Sequence, residues 1–199
     1  MPPKQDRPLT SGIATALRVV ANAIASLPTP GMIIGGIAVI LHGVPRLTRD
    51  IDATVSGSGL DLDTLLVALK GHGIAPRIAD AVAFARTSQV LLLRHEPTGV
   101  DVDLSLAWLP FELAAIAARQ HVSQGSIDVD VARPEDLIIY KAVAWRPQDQ
   151  QDIERLLTLH AAKMDLPRVL AIVAELAEAI DEPDRLAQLQ AVITRAVRP

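Results

Sequence analysis

Apolar and polar positions change rhythm along this chain, and the changes mark its elements. After a polar, proline-rich start, Ile13, Leu17, Val20 and Ile24 recur at helical spacing. Thr10 or Ser11 stands where a helix cap belongs, which predicts a helix to about Leu27. PTPG then reads as a turn. MII (32–34) is a short buried strand ending at Gly35-Gly36, and IAVILH continues as a short apolar helix. RDIDATV is the next strand, SGSG (56–59) a loop and 61–71 a helix. From Ile74 to Leu106 the pattern turns to β, with PRIA, VAFAR, VLLLR and VDVDLSLA as candidate strands and EPTG as the turn before the last. Pro110 opens a helix through Arg119, and IDVDVA (127–132) is one more strand. Pro134 sits at the first turn of a helical tail with segments 134–145, about 148–162, 166–180 and 183–197. The expectation is an α+β fold. A small mixed β-sheet core flanked by helices occupies 1–133, and an all-helical C-terminal region, 134–199, completes the cleft.

Composition narrows the chemistry. Half of the 199 residues are apolar but only 3% are aromatic, so Leu, Ile, Val and Ala carry the core. The formal net charge of -4 advertises no basic surface for nucleic acid. There is no cysteine, which excludes disulfides and thiolate metal sites. The start lacks the pattern of a signal peptide, and no apolar run approaches the roughly 20 residues that cross a bilayer. A cytoplasmic protein without a membrane partner is the expectation. The five histidines are scattered without ligand spacing, and His42, in an apolar helix, reads as a core or hydrogen-bonded residue. Trp108 and Trp145 read as packing residues.

The chemistry lies in alternating acids. A strand alternates its side chains, so TRDIDATV puts Thr48, Asp50, Asp52 and Thr54 on one face and Ile51, Ala53 and Val55 on the other. Two carboxylates that close repel unless a cation sits between them, and Mg²⁺ suits oxygen donors. GVDVDLSL repeats the pattern with Asp101, Asp103 and Ser105. Were the two strands neighbours, three carboxylates would share a site able to hold two metal ions for phosphoryl or nucleotidyl displacement. The same alternation is ordinary on a half-exposed strand, and IDVDVA shows it where no chemistry is assigned.

Company upstream and downstream sharpens the pattern. GGIA followed by HGVPRLTRDID resembles the signature of the nucleotidyltransferase superfamily with the DNA polymerase β-like fold. More narrowly, it is similar to the bacterial branch containing the AbiEii-type toxins of toxin–antitoxin systems. Gly35, Gly36, Arg46, Thr48, Asp50 and Asp52 stand at the positions of that signature. Asp103, in VDLSL, fits the third family acid better than Asp101 does. Residues 134–157 resemble the family's helical segment, with Lys141, Arg146, Asp149 and Asp152 in its places and Pro147 breaking the helix so that Lys141 and Asp152 lie at a corner. The match runs from about residue 31 to 157. One departure is Gly36, where many relatives carry Ser; backbone N–H groups at the start of the following helix would hold phosphate instead.

The resemblance implies transfer of a nucleoside monophosphate from an NTP, ATP among the candidates, to a hydroxyl acceptor with release of pyrophosphate. Asp50, Asp52 and Asp103 would be the catalytic, metal-binding carboxylates, for Mg²⁺ or alternatively Mn²⁺. Gly35, Gly36, Arg46, Thr48, Lys141 and Asp152 would bind the nucleotide, with Arg46 and Lys141 either neutralising phosphate or forming structural ion pairs. The acceptor would be the tRNA 3′ end or a protein hydroxyl, and a cognate antitoxin would be a partner. Arg77, Arg86, Arg94 and Arg119 are candidates for a local basic strip. The alternative is a catalytically inactive nucleotide- or partner-binding module of the same fold. A carboxylate-cluster hydrolase is a third class, weakened by the lack of a histidine motif.

Overall fold

The computed structural model describes residues 9–125 and 127–197. The proline-rich start, residues 1–8, lies outside them. The elements are α1 (Ser11–Ala25), β1 (Gly31–Ile33), α2 (Gly35–Leu41), β2 (Asp50–Ser56), α3 (Leu62–Lys70), β3 (Ile74–Pro76), α4 (Ala81–Ser88), β4 (Val90–His95) and β5 (Val100–Ala107). They continue with α5 (Pro110–Ala117), β6 (Gln120–Gln124), β7 (Ile127–Val131), α6 (Pro134–Ala144), α7 (Pro147–His160), a 3₁₀ turn (Ala161–Lys163), α8 (Leu166–Ala179) and α9 (Arg185–Ala196).

The strands form one mixed seven-stranded sheet in the order β3-β4-β5-β2-β1-β7-β6. Its centre explains the alternation. β2 and β5 run parallel, and Ile51, Ala53 and Val55 and Val102 and Leu104 are all buried on one face. Leu91 and Leu93 of β4 extend that face, and Leu17, Val20 and Ile24 of α1 belong to the same apolar core. The opposite face of β2 and β5 carries the carboxylates, with Thr54 at its buried floor. α2 reaches α6, which packs on α7 and α8, and α9 closes against α7 and α8. The result is the α+β architecture expected, with the last four helices folded onto one another and joined to α2 through α6.

Local signals placed most boundaries. The Thr10 hydroxyl accepts from the Ile13 N–H at the start of α1, and Asp61 caps α3 by accepting from Thr64 N–H at 2.8 Å. Glu112 accepts from the N–H groups of Trp108 and Leu109, both at 3.0 Å, where Pro110 opens α5. Pro147 does begin a new helix, after Trp145 turns the chain with a left-handed φ of 51°.

Two strand expectations fail. VAFAR is the helix α4: its buried side chains, Ala81 and Ala85, are four apart, and alanine favours helix over strand. PRIA supplies only Pro76 to a strand, because β3 is three residues ending there, although the Arg77 N–H still donates to the Leu92 carbonyl. β6 went unread because only Val122 of its five residues turns even partly inward. Trp108 is a further correction: it is 63% exposed, not packed. Trp145 does pack against the core, with the Arg185 guanidinium 5.0 Å over its ring.

Candidate active site

The site gathers where β1 ends, α2 begins and β2 and β5 start side by side. Gly35 has a φ of +60°, and a Cβ there would lie 1.9 Å from Asp52 Oδ2, so only glycine lets the β1–α2 turn close over that carboxylate. Gly36 opens the helix, and a Cβ on it would meet Thr48 Oγ1 at 2.8 Å and Arg46 Cζ at 3.0 Å. The side chains of Arg46 and Thr48 thus fill the space above Gly36 that a serine would need. This gives the Gly36 departure a physical reason.

The carboxylates are ordered by register. Parallel pairing sets Asp50 beside Asp101 and Asp52 beside Asp103. Thr48 donates to Asp50 Oδ1 at 2.9 Å. Asp52 is the most enclosed of the three candidates. Burial, then the charge of Asp50, push its carboxyl above the ordinary aspartate range, while the Gly36 N–H against it favours the charged form. Burial likewise raises Asp103, opposed by the Arg77 guanidinium. Asp101 goes the other way: its hydrogen bond from Arg94, at 2.7 Å, holds its carboxyl low. Asp103 stands beside Asp52 and lacks the Arg94 contact.

Behind them lies a buried charge cluster. Asp152, 1% exposed, accepts from Arg46 Nη1 and sits 2.7 Å from Lys141 Nζ. Lys141 also meets Asp149 at 3.2 Å. Both cations read as phosphate neutralisers are thus ion-paired through one carboxylate. Lys141 remains close enough to act on Asp52 electrostatically. The helix break at Pro147 makes this possible, since it lets α7 fold Asp149 and Asp152 back onto α6. Arg146 touches this cluster only at its rim: its side chain is exposed, with Nε 3.2 Å from Asp149.

Gly35, Gly36, Arg46, Thr48, Asp50, Asp52, Asp103, Lys141 and Asp152 thus lie in one connected set. Arg77 and Asp149 belong to it as well. Arg77, which follows β3, extends its Nη2 to 2.8 Å from Asp103 Oδ1 and its Nη1 to 3.3 Å from Asp101 Oδ2. No motif marks it; only the register of β3, β4 and β5 brings it there. The four arginines do not form one strip: Arg77 and Arg94 pair with carboxylates of β5, whereas Arg119 pairs with Asp130 of β7, at 2.8 Å, towards the opposite edge of the sheet. His42 is hydrogen-bonded as expected, donating to the Ala132 carbonyl at 2.8 Å.

The donor set fits a divalent cation in chemistry: oxygen ligands only, at adjacent register positions, two of them with affinity for protons raised first by burial and further by the like charges nearby. Its rotamers are not gathered for one. Among the described residues no three His, Asp or Glu side chains converge closely enough to hold a metal. Asp50 is turned to Thr48 and Asp103 to Arg77. A cavity of about 530 Å³ lies at the other end of β1, lined by Asn22, Thr29, Gly31, Arg119 and His121 among others, and shares none of the carboxylates. Among the described residues no helix is long and apolar enough to cross a membrane.

No protein-family model and no curated protein matches the sequence. Solved structures do match the fold. The antibiotic-resistance factor ANT(2'')-Ia in complex with adenylyl-2''-tobramycin superposes with a TM-score of 0.55 at 19% identity, over 84% of this chain and 98% of that one. Its solution structure gives 0.54 at 19% identity, over 90% and 95%. JHP933 from Helicobacter pylori gives 0.53 at 13% identity, over 95% and 92%. The fold is nucleotidyltransferase-like, and it spans nearly the whole of each of these chains.

Proposed function

We propose that the protein is a Mg²⁺-dependent nucleotidyltransferase that moves a nucleoside monophosphate from an NTP to a hydroxyl acceptor. The observation that carries this is the register of β2 and β5. It sets Asp52 beside Asp103 and Asp50 one alternation away, under the Gly35–Gly36 turn. Asp50, Asp52 and Asp103 would hold the metal, with Mn²⁺ as an alternative. When bound, it supplies the positive charge that lets a triphosphate approach three carboxylates and stabilises the departing pyrophosphate.

The chain's own residues do the rest. Gly35 and Gly36 let backbone approach the phosphates, and N–H groups at the start of α2, other than that of Gly36, which Asp52 holds, donate to them. Arg46 and Lys141, gripped by Asp152, place two positive charges behind the phosphates, and the helical region 134–199 completes the cleft through them. Thr48 orients Asp50. Asp103, on the acceptor side, accepts the proton of the attacking hydroxyl. The acceptor oxygen then bonds to the α-phosphorus, the bond from that phosphorus to the β-phosphate oxygen breaks, and pyrophosphate leaves.

The resemblance to AbiEii-type toxins supports the tRNA 3′ end as acceptor, a protein hydroxyl as the substitute, and a cognate antitoxin as partner in the cytoplasm. ANT(2'')-Ia, solved in complex with adenylyl-2''-tobramycin, supports the reaction class. The second reading is an inactive nucleotide-binding module. It is favoured by the carboxylates' engagement with Thr48 and Arg77. Incubation with Mg²⁺ and each α-labelled NTP, with tRNA or the protein alone as acceptor and Asp52→Asn as control, separates the two. Label transferred by wild type only supports the enzyme. Equal inertness, with a nucleotide-induced rise in melting temperature, supports the module.

A further inference from the structure

Arg77 and Arg94 both reach the carboxylates of β5, and the two terminal nitrogens of Arg77 divide between two acids. Nη2 lies 2.8 Å from Asp103 and Nη1 lies 3.3 Å from Asp101, while Arg94 approaches Asp101 from the neighbouring strand at 2.7 Å. Arg77 is backed by its own N–H bond to Leu92, which stands opposite Asp103 in the β4–β5 register. The guanidinium is thus anchored on the sheet and shared between a carboxylate proposed as a ligand and one that is not.

Resting on the function proposed above, we propose that Arg77 is the counter-cation of Asp103 in the empty site and the residue that sets the acceptor's charge once a divalent ion takes that carboxylate. A divalent ion and a guanidinium compete for the same oxygens, so metal entry frees Nη2. Asp101 keeps Nη1 in place. The acceptor side then holds two guanidinium groups, Arg77 and Arg94, against the single carboxylate of Asp101. A cationic acceptor would meet like charge there. A hydroxyl flanked by phosphate would be drawn in, and the ribose end of an RNA strand has that chemistry. The acceptor class is accordingly anionic, even though the chain as a whole is acidic.

Two measurements on the full chain test this, after circular dichroism shows each variant folded. Electron paramagnetic resonance titration with Mn²⁺ compares wild type, Arg77→Ala, Asp103→Asn and the double variant. Arg77→Ala is expected to bind Mn²⁺ about five-fold tighter, the size of a partly exposed ion pair released, and to make no difference in the Asp103→Asn background. Unchanged affinity overturns the proposal while leaving the nucleotidyltransferase reading intact; failure of all four proteins to bind Mn²⁺ removes both. In the second measurement, a labelled oligoribonucleotide is added with Mg²⁺ and a non-hydrolysable ATP analogue. Fluorescence anisotropy should show wild type binding at least five-fold tighter than Arg77→Ala, with Arg77→Lys in between. Equal binding by wild type and Arg77→Ala, or preference of wild type for the cationic tobramycin, overturns the assignment.

Discussion

Replacing Gly35 with alanine tests whether the turn over Asp52 is as tight as the geometry says. Two terms add. The backbone stands at φ +60°, where an L side chain costs about 1 kcal/mol. The new Cβ would lie 1.9 Å from Asp52 Oδ2, 2.5 Å from Cγ and 2.6 Å from Cβ. Rotation of the carboxylate relieves the first two contacts, but Asp52 Cβ is fixed to β2 in the middle of the sheet, so relief requires backbone movement. Overpacking of that kind adds about 2 kcal/mol, for a total of about 3 kcal/mol. In a chain of this length that lowers the melting temperature by roughly 10 °C. Gly99→Ala is the control. Gly99 is also left-handed, at φ +69°, but a Cβ there meets nothing within 4 Å, so only the backbone term of about 1 kcal/mol remains. Urea unfolding of both variants, followed by circular dichroism, measures the difference. If Gly35→Ala is no less stable than Gly99→Ala, the close approach of Gly35 to Asp52 is wrong.

Other perturbations have equally definite outcomes. Gly36→Ser should not improve nucleotide binding, because it would displace Thr48 and Arg46; a smaller ATP–Mg²⁺ thermal shift than wild type checks it. Lys141→Met should cost about 3 kcal/mol in urea unfolding, since it strips a buried partner from Asp149 and Asp152. Asp52→Asn should melt above wild type at neutral pH and level with it in acid. The folded-state value of Asp52 is raised, so the stability linked to its protonated form is complete below the ordinary aspartate range and is lost as the pH climbs through the raised value. Melting curves across that range, without metal, read the crossover.

What the sequence disclosed was whatever depends on neighbours along the chain. The two-residue rhythm of TRDIDATV and GVDVDLSL is a property of single strands, and it placed Asp50, Asp52, Asp101 and Asp103 on one face correctly. Caps and prolines fixed the helix starts at Ser11, Pro110, Pro134 and Pro147. VAFAR misled because five residues fit either rhythm, and Ala85 with Ala81 just before the segment, four apart, decide only when a core is present to bury them. The pairing of β2 with β5 lies beyond local reading, because some fifty residues separate the strands. Arg77 is hidden for the same reason: its role needs β3, β4 and β5 in register, and its flanking residues carry no motif.

Three strands of this chain carry alternating aspartates, and their different fates show what the alternation itself leaves open. In β7, Asp128 and Asp130 face the edge strand β6, where His121 places one ring nitrogen 2.7 Å from Asp128 and the other 3.0 Å from Asp130. Those two carboxylates raise the affinity of His121 for its proton, and Arg119 adds a second cation at Asp130. That pair is neutralised by its own hairpin and makes no demand for a metal. In β5, Asp101 is neutralised by Arg94 and Arg77. In β2, Asp50 has a neutral hydroxyl and Asp52 a backbone N–H and the distant charge of Lys141. Negative charge in excess of nearby cations therefore accumulates at Asp50, Asp52 and, once Arg77 yields, Asp103. The alternation chooses a face; the strands on either side decide whether that face keeps its charge, and only where it does can a divalent cation bind more tightly than the side chains it displaces.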